Sequence, residues 1–154
     1  MNISIRKGTE EDFPAILNLI KELAAFEQNE DKVTNSIEKM KEEKDLFWCF
    51  VAETEDKEIV GMALYFFAYF TWMGKSLYLD DLYVKESFRG NKIGSNLLKE
   101  IFEFAKQEKC KRVRWQVLNW NKPAIWLYTK CGADISNEWN NCDFDESAIE
   151  NFKI

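Results

Sequence analysis

The chain contains no histidine. That absence removes serine and cysteine catalysis through an imidazole base, and with it every zinc site built on histidine. Where function needs proton transfer, it falls to carboxylates, tyrosine, lysine or water. Proline and glycine are scarce, at two and six in 154 residues, and no linker or low-complexity run interrupts the sequence. The four cysteines, Cys49, Cys110, Cys131 and Cys142, form no CxxC pair and read as reduced thiols, some of them buried. No stretch reaches the ~18 apolar residues of a membrane span, and "MNISIRKG" holds too short an apolar run for a signal peptide. A soluble cytoplasmic protein with no membrane partner is the expectation. Basic blocks are also missing and the net charge is −6, which argues against nucleic acid and, weakly, for a cationic ligand.

What is present suits one domain over residues 1–154. Hydrophobic residues make up 46% and aromatics 15%, ample for a single core burying ~70% of the unfolded surface. "NISIRK" alternates as a first strand. Thr9 offers an N-cap oxygen, and Phe13, Ile16, Leu17, Ile20, Leu23 and Ala24 repeat at helical spacing, predicting an amphipathic helix over 10–26. A polar helix follows over 35–43. Strands are expected at 46–53, 59–70 and 75–84, joined by short turns into an antiparallel meander. A helix over about 94–108 then crosses to a strand at 112–118, parallel to its predecessor. Asn121 caps a short helix through Tyr128, Gly132 ends it, and the tail forms a final hairpin through "CDF". The order β-α-α-β-β-β-α-β-α-β is α/β with a mixed central sheet.

"SFRGNKIGSNLLKEIFEF" (87–104) places an arginine and two glycines at a helix start. Unpaired amides at the positive end of a helix dipole suit phosphate, glycine lets backbone approach the anion, and Arg89 adds charge-assisted hydrogen bonds. The stretch lacks the GK[ST] of a nucleoside-triphosphate loop and the full GxGxxG of a dinucleotide fold. On spacing alone, a phosphate site and a glycine-containing turn with a solvated arginine are equally good readings.

"YLDDLYVKESFRGNKIGSNLL" followed by "NWNKPAIWLYTKCGA" resembles the GNAT superfamily of N-acetyltransferases. Within it the resemblance is to diamine (spermidine/spermine) and thialysine N-acetyltransferases. It extends to "IRKGTEEDFPAILNLIKELAAFE" and "FAYFTWMGKSLYLDDLYV", and so over nearly the whole chain. The resemblance implies a GNAT-like fold, acetyl-CoA as co-substrate, no metal and a homodimer. It implies that Arg89, Gly90, Asn91, Lys92, Ile93, Gly94 and Ser95 cradle pyrophosphate, with Lys92 standing where the family has its middle glycine. Lys92 must then adopt those backbone angles without glycine's freedom, or the loop is rearranged. Backbone groups of Leu82, Tyr83 and Val84 would hold the acetyl and pantetheine parts, and Asn121 and Ala124 would approach the pantetheine arm. Tyr128 matches the tyrosine facing the sulfur. Read from its helical position alone, it is a core tyrosine with a surface hydroxyl.

Acetyl transfer needs a neutral amine, and a primary ammonium of pKa ~10.4 is neutral about once in 2,500 molecules at pH 7, a cost of ~4.6 kcal/mol. A carboxylate must therefore take a proton, directly or through water. Asp80 and Asp81 are adjacent on a strand, so their side chains are expected on opposite faces, unless the pair marks a β-bulge or turn. The resemblance makes Asp80 the acid–base residue and places Phe26, Glu27, Asp80, Asp81, Trp115 and Gln116 around the amine. Phe70 stands at a position that is acidic in the polyamine enzymes. The aromatic run "YFFAYFTW" (65–72) has no accompanying basic residues and reads as core plus a dimer contact rather than a base-stacking surface. A small diamine, polyamine or lysine-like amine is the expected acceptor. The competing class is a non-catalytic acyl-CoA-binding or sensing module.

Overall fold

The computed structural model describes residues 2–153. They fall into two compact units, one ending at Gln116 and the other beginning at Val117.

The first unit is built on a sheet of order β1-β2-β3-β4-β5. Its strands are β1 (Ile3–Lys7), β2 (Trp48–Thr54), β3 (Ile59–Phe70), β4 (Gly74–Val84) and β5 (Val113–Arg114). The first four are antiparallel neighbours, and β5 runs parallel to β4. Helices α1 (Phe13–Phe26) and α2 (Ile37–Glu42) precede β2, and α3 (Ile93–Gln107) crosses from β4 to β5. Alternation along β2 and β3 sends Cys49, Val51, Met62 and Leu64 into a core with Phe13, Ile16, Leu17 and Leu19 of α1. The intervening residues face α3, where Phe104 meets Phe50 and Tyr65 at ring separations of 5.8 and 5.4 Å. Burial on both faces explains why β3 reads as an almost unbroken apolar run.

The entry to α1 is held by one arginine. Arg6 of β1 makes a bidentate pair with Asp12 (2.8 Å to each oxygen) and also reaches Glu53 of β2 at 2.6 Å. Thr9 caps less simply than its type suggests: the Asp12 carboxylate accepts from the Thr9 amide (2.8 Å) and hydroxyl (3.2 Å). A 3-10 turn at Glu10–Asp12 therefore precedes α1.

The second unit contains α4 (Lys122–Lys130) and α5 (Glu146–Glu150). Asn121 caps α4, its Oδ1 accepting from the Ala124 amide at 3.4 Å. Gly132 follows in the left-handed region at φ +92°.

The expected class and order hold through α4, with two corrections. The strand expected over 112–118 is only Val113–Arg114, opposite Leu77 and Tyr78. A bulge in β4 just beyond these partners bends that strand, so the alternating residues after Arg114 find no matching ladder. The final hairpin is absent among the described residues. Residues 133–145 are irregular, and Asp145 instead caps α5 by accepting from the Ala148 amide at 2.8 Å. "SNEWNNCDFD" is rich in residues that bond their own backbone, which favours turns and caps over a ladder.

Candidate active site

The bulge falls on the acidic pair. Leu64 of β3 pairs with Asp81 while the next residue, Tyr65, pairs with Leu79, leaving Asp80 with no partner in the ladder. Strict alternation is interrupted there, so Asp80 and Asp81 do not divide simply between opposite faces. Asp80 is exposed and Asp81 half-buried. Burial, then the charges of Asp80 and Glu27, push the Asp81 carboxyl up to about 7. Glu27 is likewise raised by burial and by Asp80, and Asp80, although exposed, is raised by the partial desolvation that the surrounding protein imposes.

Glu27 is the C-cap of α1, its amide donating to Leu23 O at 2.9 Å, and Gln28 at φ +59° then turns the chain away. An acid at the negative end of a helix dipole, beside two further acids, is unfavourable for the folded state. Such an arrangement is relieved by a cation.

Beside this cluster one edge of β4 is open. Pairing with β5 stops at Tyr78, so from Leu79 to Val84 this edge has no neighbouring strand among the described residues. Backbone groups on this edge at Leu82 and Tyr83 are thereby available to an extended ligand, while the Val84 carbonyl accepts from Arg89 Nε at 3.1 Å. After Val84 the chain makes a 3-10 turn at Glu86–Phe88 and passes Gly90 at φ +81°. Asn91 Nδ2 braces this loop by donating to Phe88 O at 3.0 Å.

Lys92 is the N-cap of α3 at φ 59°, ψ 11°, in the left-handed region. Of the two readings for this position, it shows the one in which a non-glycine residue takes the turn, at a cost of about 1–2 kcal/mol. The first bond within α3 runs from the Asn96 amide to Lys92 O, and the Lys92 side chain does not cap. The amides of Ile93, Gly94 and Ser95 thus lead the helix as first-turn donors. A Cβ on Gly94 would meet only Val84 Cγ2, at 3.8 Å, so the chain itself does not fill the space above that backbone. A left-handed turn, two glycines, leading amides and an adjacent arginine fit a diphosphate. The open strand edge fits an amide-bearing arm.

Arg89 is placed by three groups. Its Nε donates to Val84 O at 3.1 Å, and its guanidinium lies 5.5 Å from the rings of both Phe26 and Tyr83. Glu22, absent from the sequence-derived candidates, raises the Tyr83 phenol by charge and hydrogen bond, after burial, while Arg89 opposes it. The available signal was spacing: Glu22 and Phe26 are four apart and share one face of α1.

The remaining candidates are carried by other elements. Trp115 meets Phe102 of α3 edge-on at 6.2 Å, and Gln116 is exposed at the end of the first unit. Asn121, Ala124 and Tyr128 sit on and before α4 in the second unit, where the Asn121 oxygen is engaged as a cap. Tyr128 is half-buried, and burial pushes its phenol above the ordinary range. Phe70 pairs with Gly74 at the far end of β4 and lies against Arg112 (5.2 Å) and Arg114 (4.8 Å). Gly74 precedes Asp80 by about 20 Å of extended strand, so Phe70 is not part of the carboxylate cluster of its own chain. No group suited to hold a metal ion occurs among the described residues.

Residues 13–133 match the Acetyltransferase (GNAT) family. The chain belongs to that family. Its members use acetyl-CoA as co-substrate. The chain is 37% identical to the thialysine N-epsilon-acetyltransferase of Sus scrofa, over 96% of this chain and 95% of that protein. It is also 37% identical to the spermidine/spermine N(1)-acetyltransferase-like protein 1 of Homo sapiens, over 94% of this chain but 23% of that protein. An aminoglycoside acetyltransferase from an uncultured soil metagenomic sample, solved with trehalose, shares the fold at TM-score 0.77 and 19% identity, covering 93% of this chain and 95% of that one. As a GNAT enzyme the protein is an N-acetyltransferase. No helix among the described residues is long and apolar enough to cross a membrane.

Proposed function

We propose that residues 1–154 form one N-acetyltransferase domain that transfers acetyl from acetyl-CoA to a primary amine of a small diamine, polyamine or lysine-like substrate, by direct attack in a ternary complex. The observation that carries this reading is the coupling of Glu27, Asp80 and Asp81 at the β4 bulge, beside the open edge of β4. Three raised carboxyls, with Asp80 adding to the shift of both Glu27 and Asp81, favour a ligand with more than one positive charge. The relatives' names, thialysine and spermidine/spermine acetyltransferases, point to the same substrate class.

The co-substrate would supply the acetyl group as a thioester. Arg89, Gly90, Asn91, Lys92, Ile93, Gly94 and Ser95 would hold its diphosphate, and the β4 edge at Leu82–Val84 its amide-bearing arm, with Asn121 and Ala124 assigned to that arm by resemblance. Glu27 and Asp81 anchor the cationic acceptor, alongside Phe26, Trp115 and Gln116. Asp80, exposed and outside the ladder, takes the ammonium proton directly or through water. Strand amides donate to the oxygen on which negative charge develops. Tyr128 keeps its proton at neutral pH and is the proposed donor to the departing sulfur. The exposed aromatics Tyr69 and Trp72 at the β3–β4 hairpin support a homodimer, and four free cysteines support a reducing compartment.

The test is incubation with acetyl-CoA and a panel of polyamines, diamines and lysine analogues while thiol release is followed. Turnover with a cationic amine is expected. Coenzyme A binding without turnover on any amine would instead favour a sensing module.

A further inference from the structure

Arg89 joins two parts of the site. Phe26 is the last residue of α1 and stands directly before Glu27, whereas Tyr83 and Val84 end β4. The guanidinium lies 5.5 Å from each ring, and its Nε is fixed on Val84 O at 3.1 Å. Its backbone opens the Gly90–Lys92 turn that leads into α3. A planar cation stacked on aromatic faces resists rotation more than a solvated lysine would, and the same plane is suited to bidentate contact with phosphate. Any anion in the turn acts on a side chain that also bears on the end of α1. Among the described residues Glu27 has no comparable brace: it is a helix C-cap followed by a left-handed residue, raised by burial and by Asp80.

We infer that Arg89, acting through its stack on Phe26, is a positioning residue that couples occupation of the diphosphate loop to the placement of Glu27 in the amine site. The inference rests on the acetyltransferase reading above and adds an energetic link between the two ligands. An anion on the loop orders the guanidinium, the guanidinium orders Phe26, and Glu27 is held ready for the ammonium. Coupling of this kind is reciprocal, so each ligand tightens the other by the same factor.

The test is calorimetric titration of the full chain with coenzyme A, which carries no acetyl group to transfer, in the absence and presence of saturating spermidine. The quantity read is the ratio of the two dissociation constants. We expect coenzyme A to bind about 5- to 10-fold tighter with spermidine present, within the usual range for coupled sites. Phe26→Leu is expected to bring that ratio below about twofold, Phe26→Tyr to restore it, and Arg89→Lys to lose it although the charge is kept. A merely structural role for Phe26 would weaken both titrations together and leave the ratio unchanged. Full coupling in Phe26→Leu, or independent binding of the two ligands in the unaltered chain, overturns the inference while leaving the acetyltransferase reading intact. Failure of coenzyme A to bind at all overturns both.

Discussion

Asp80 raises the proton affinity of its neighbour Asp81, and β4 bulges at this pair, with Leu64 opposite Asp81 and Tyr65 opposite Leu79. The Asp81 carboxyl is pushed up to about 7, so the folded chain holds this proton over a range where an unfolded chain has released it. Between about pH 4 and 7 the native state therefore binds more protons, and the contribution of Asp81 to stability falls as pH rises. Asp81→Asn should raise the melting temperature at pH 8, by about 2–4 °C for each kcal/mol recovered, with the gain shrinking toward pH 4. Thermal unfolding at the two pH values checks this. An equal gain at both would show that the charge of Asp81 is not the cause.

Glu27 should set the preference for a second positive charge. A carboxylate–ammonium contact, partly desolvated, contributes about 1–3 kcal/mol, or roughly 5- to 150-fold. A diamine is expected to give higher kcat/KM than a monoamine of equal length with an uncharged tail, and Glu27→Gln should reduce that ratio. The measurement is an amine panel at fixed acetyl-CoA and low salt. Equal efficiency for both amines in the unaltered protein would remove the anionic-pocket assignment.

Tyr128→Phe removes one hydroxyl and little else. Coenzyme A affinity should stay within about twofold while kcat falls by roughly 10²-fold, the low end for loss of a positioned acid. The comparison is made where chemistry limits the rate, so that product release does not mask it. An unchanged kcat there would return Tyr128 to a packing role.

Lys92 carries two separable properties, a backbone angle and a charge. Relative to Lys92→Ala, Lys92→Gly should be more stable by about 1 kcal/mol, since only glycine occupies φ 59° without strain. If the charge holds phosphate, both variants bind coenzyme A a few-fold more weakly at low salt, and the gap closes at high salt. A gap of constant size would falsify the phosphate contact. Denaturant unfolding and titration at two ionic strengths read the two properties independently.

Much of this architecture is legible in residue order, for identifiable reasons. β1 and α1 advertise themselves by periodicity, and β3 by its length and aromatic content, because local pattern and tertiary burial agree there. β5 shows the limit: "RVRWQVL" alternates well, yet a ladder needs a partner, and β4 has bent away by then. The bulge itself is a tertiary event, although two consecutive aspartates inside a strand are its trace. Only the resemblance puts Glu27 and Asp80 in one site, since nothing in spacing links them across more than fifty residues. The stack on Arg89 could not be read at all, because rings and guanidinium from three segments meet only in the fold.

The raised Asp81 carboxyl has a consequence for how this protein handles protons near neutrality. Imidazole is the side chain whose ordinary pKa lies in that range, and the chain has none. A carboxyl near 7 fills the vacancy. When a cationic amine settles beside it, the attraction should drive its proton into the buffer. The apparent heat of amine binding at pH 7 should then change with the ionisation enthalpy of the buffer, and in Asp81→Asn it should not. In a chain without histidine, an aspartate held beside two other acids is then the side chain expected to exchange a proton near neutral pH.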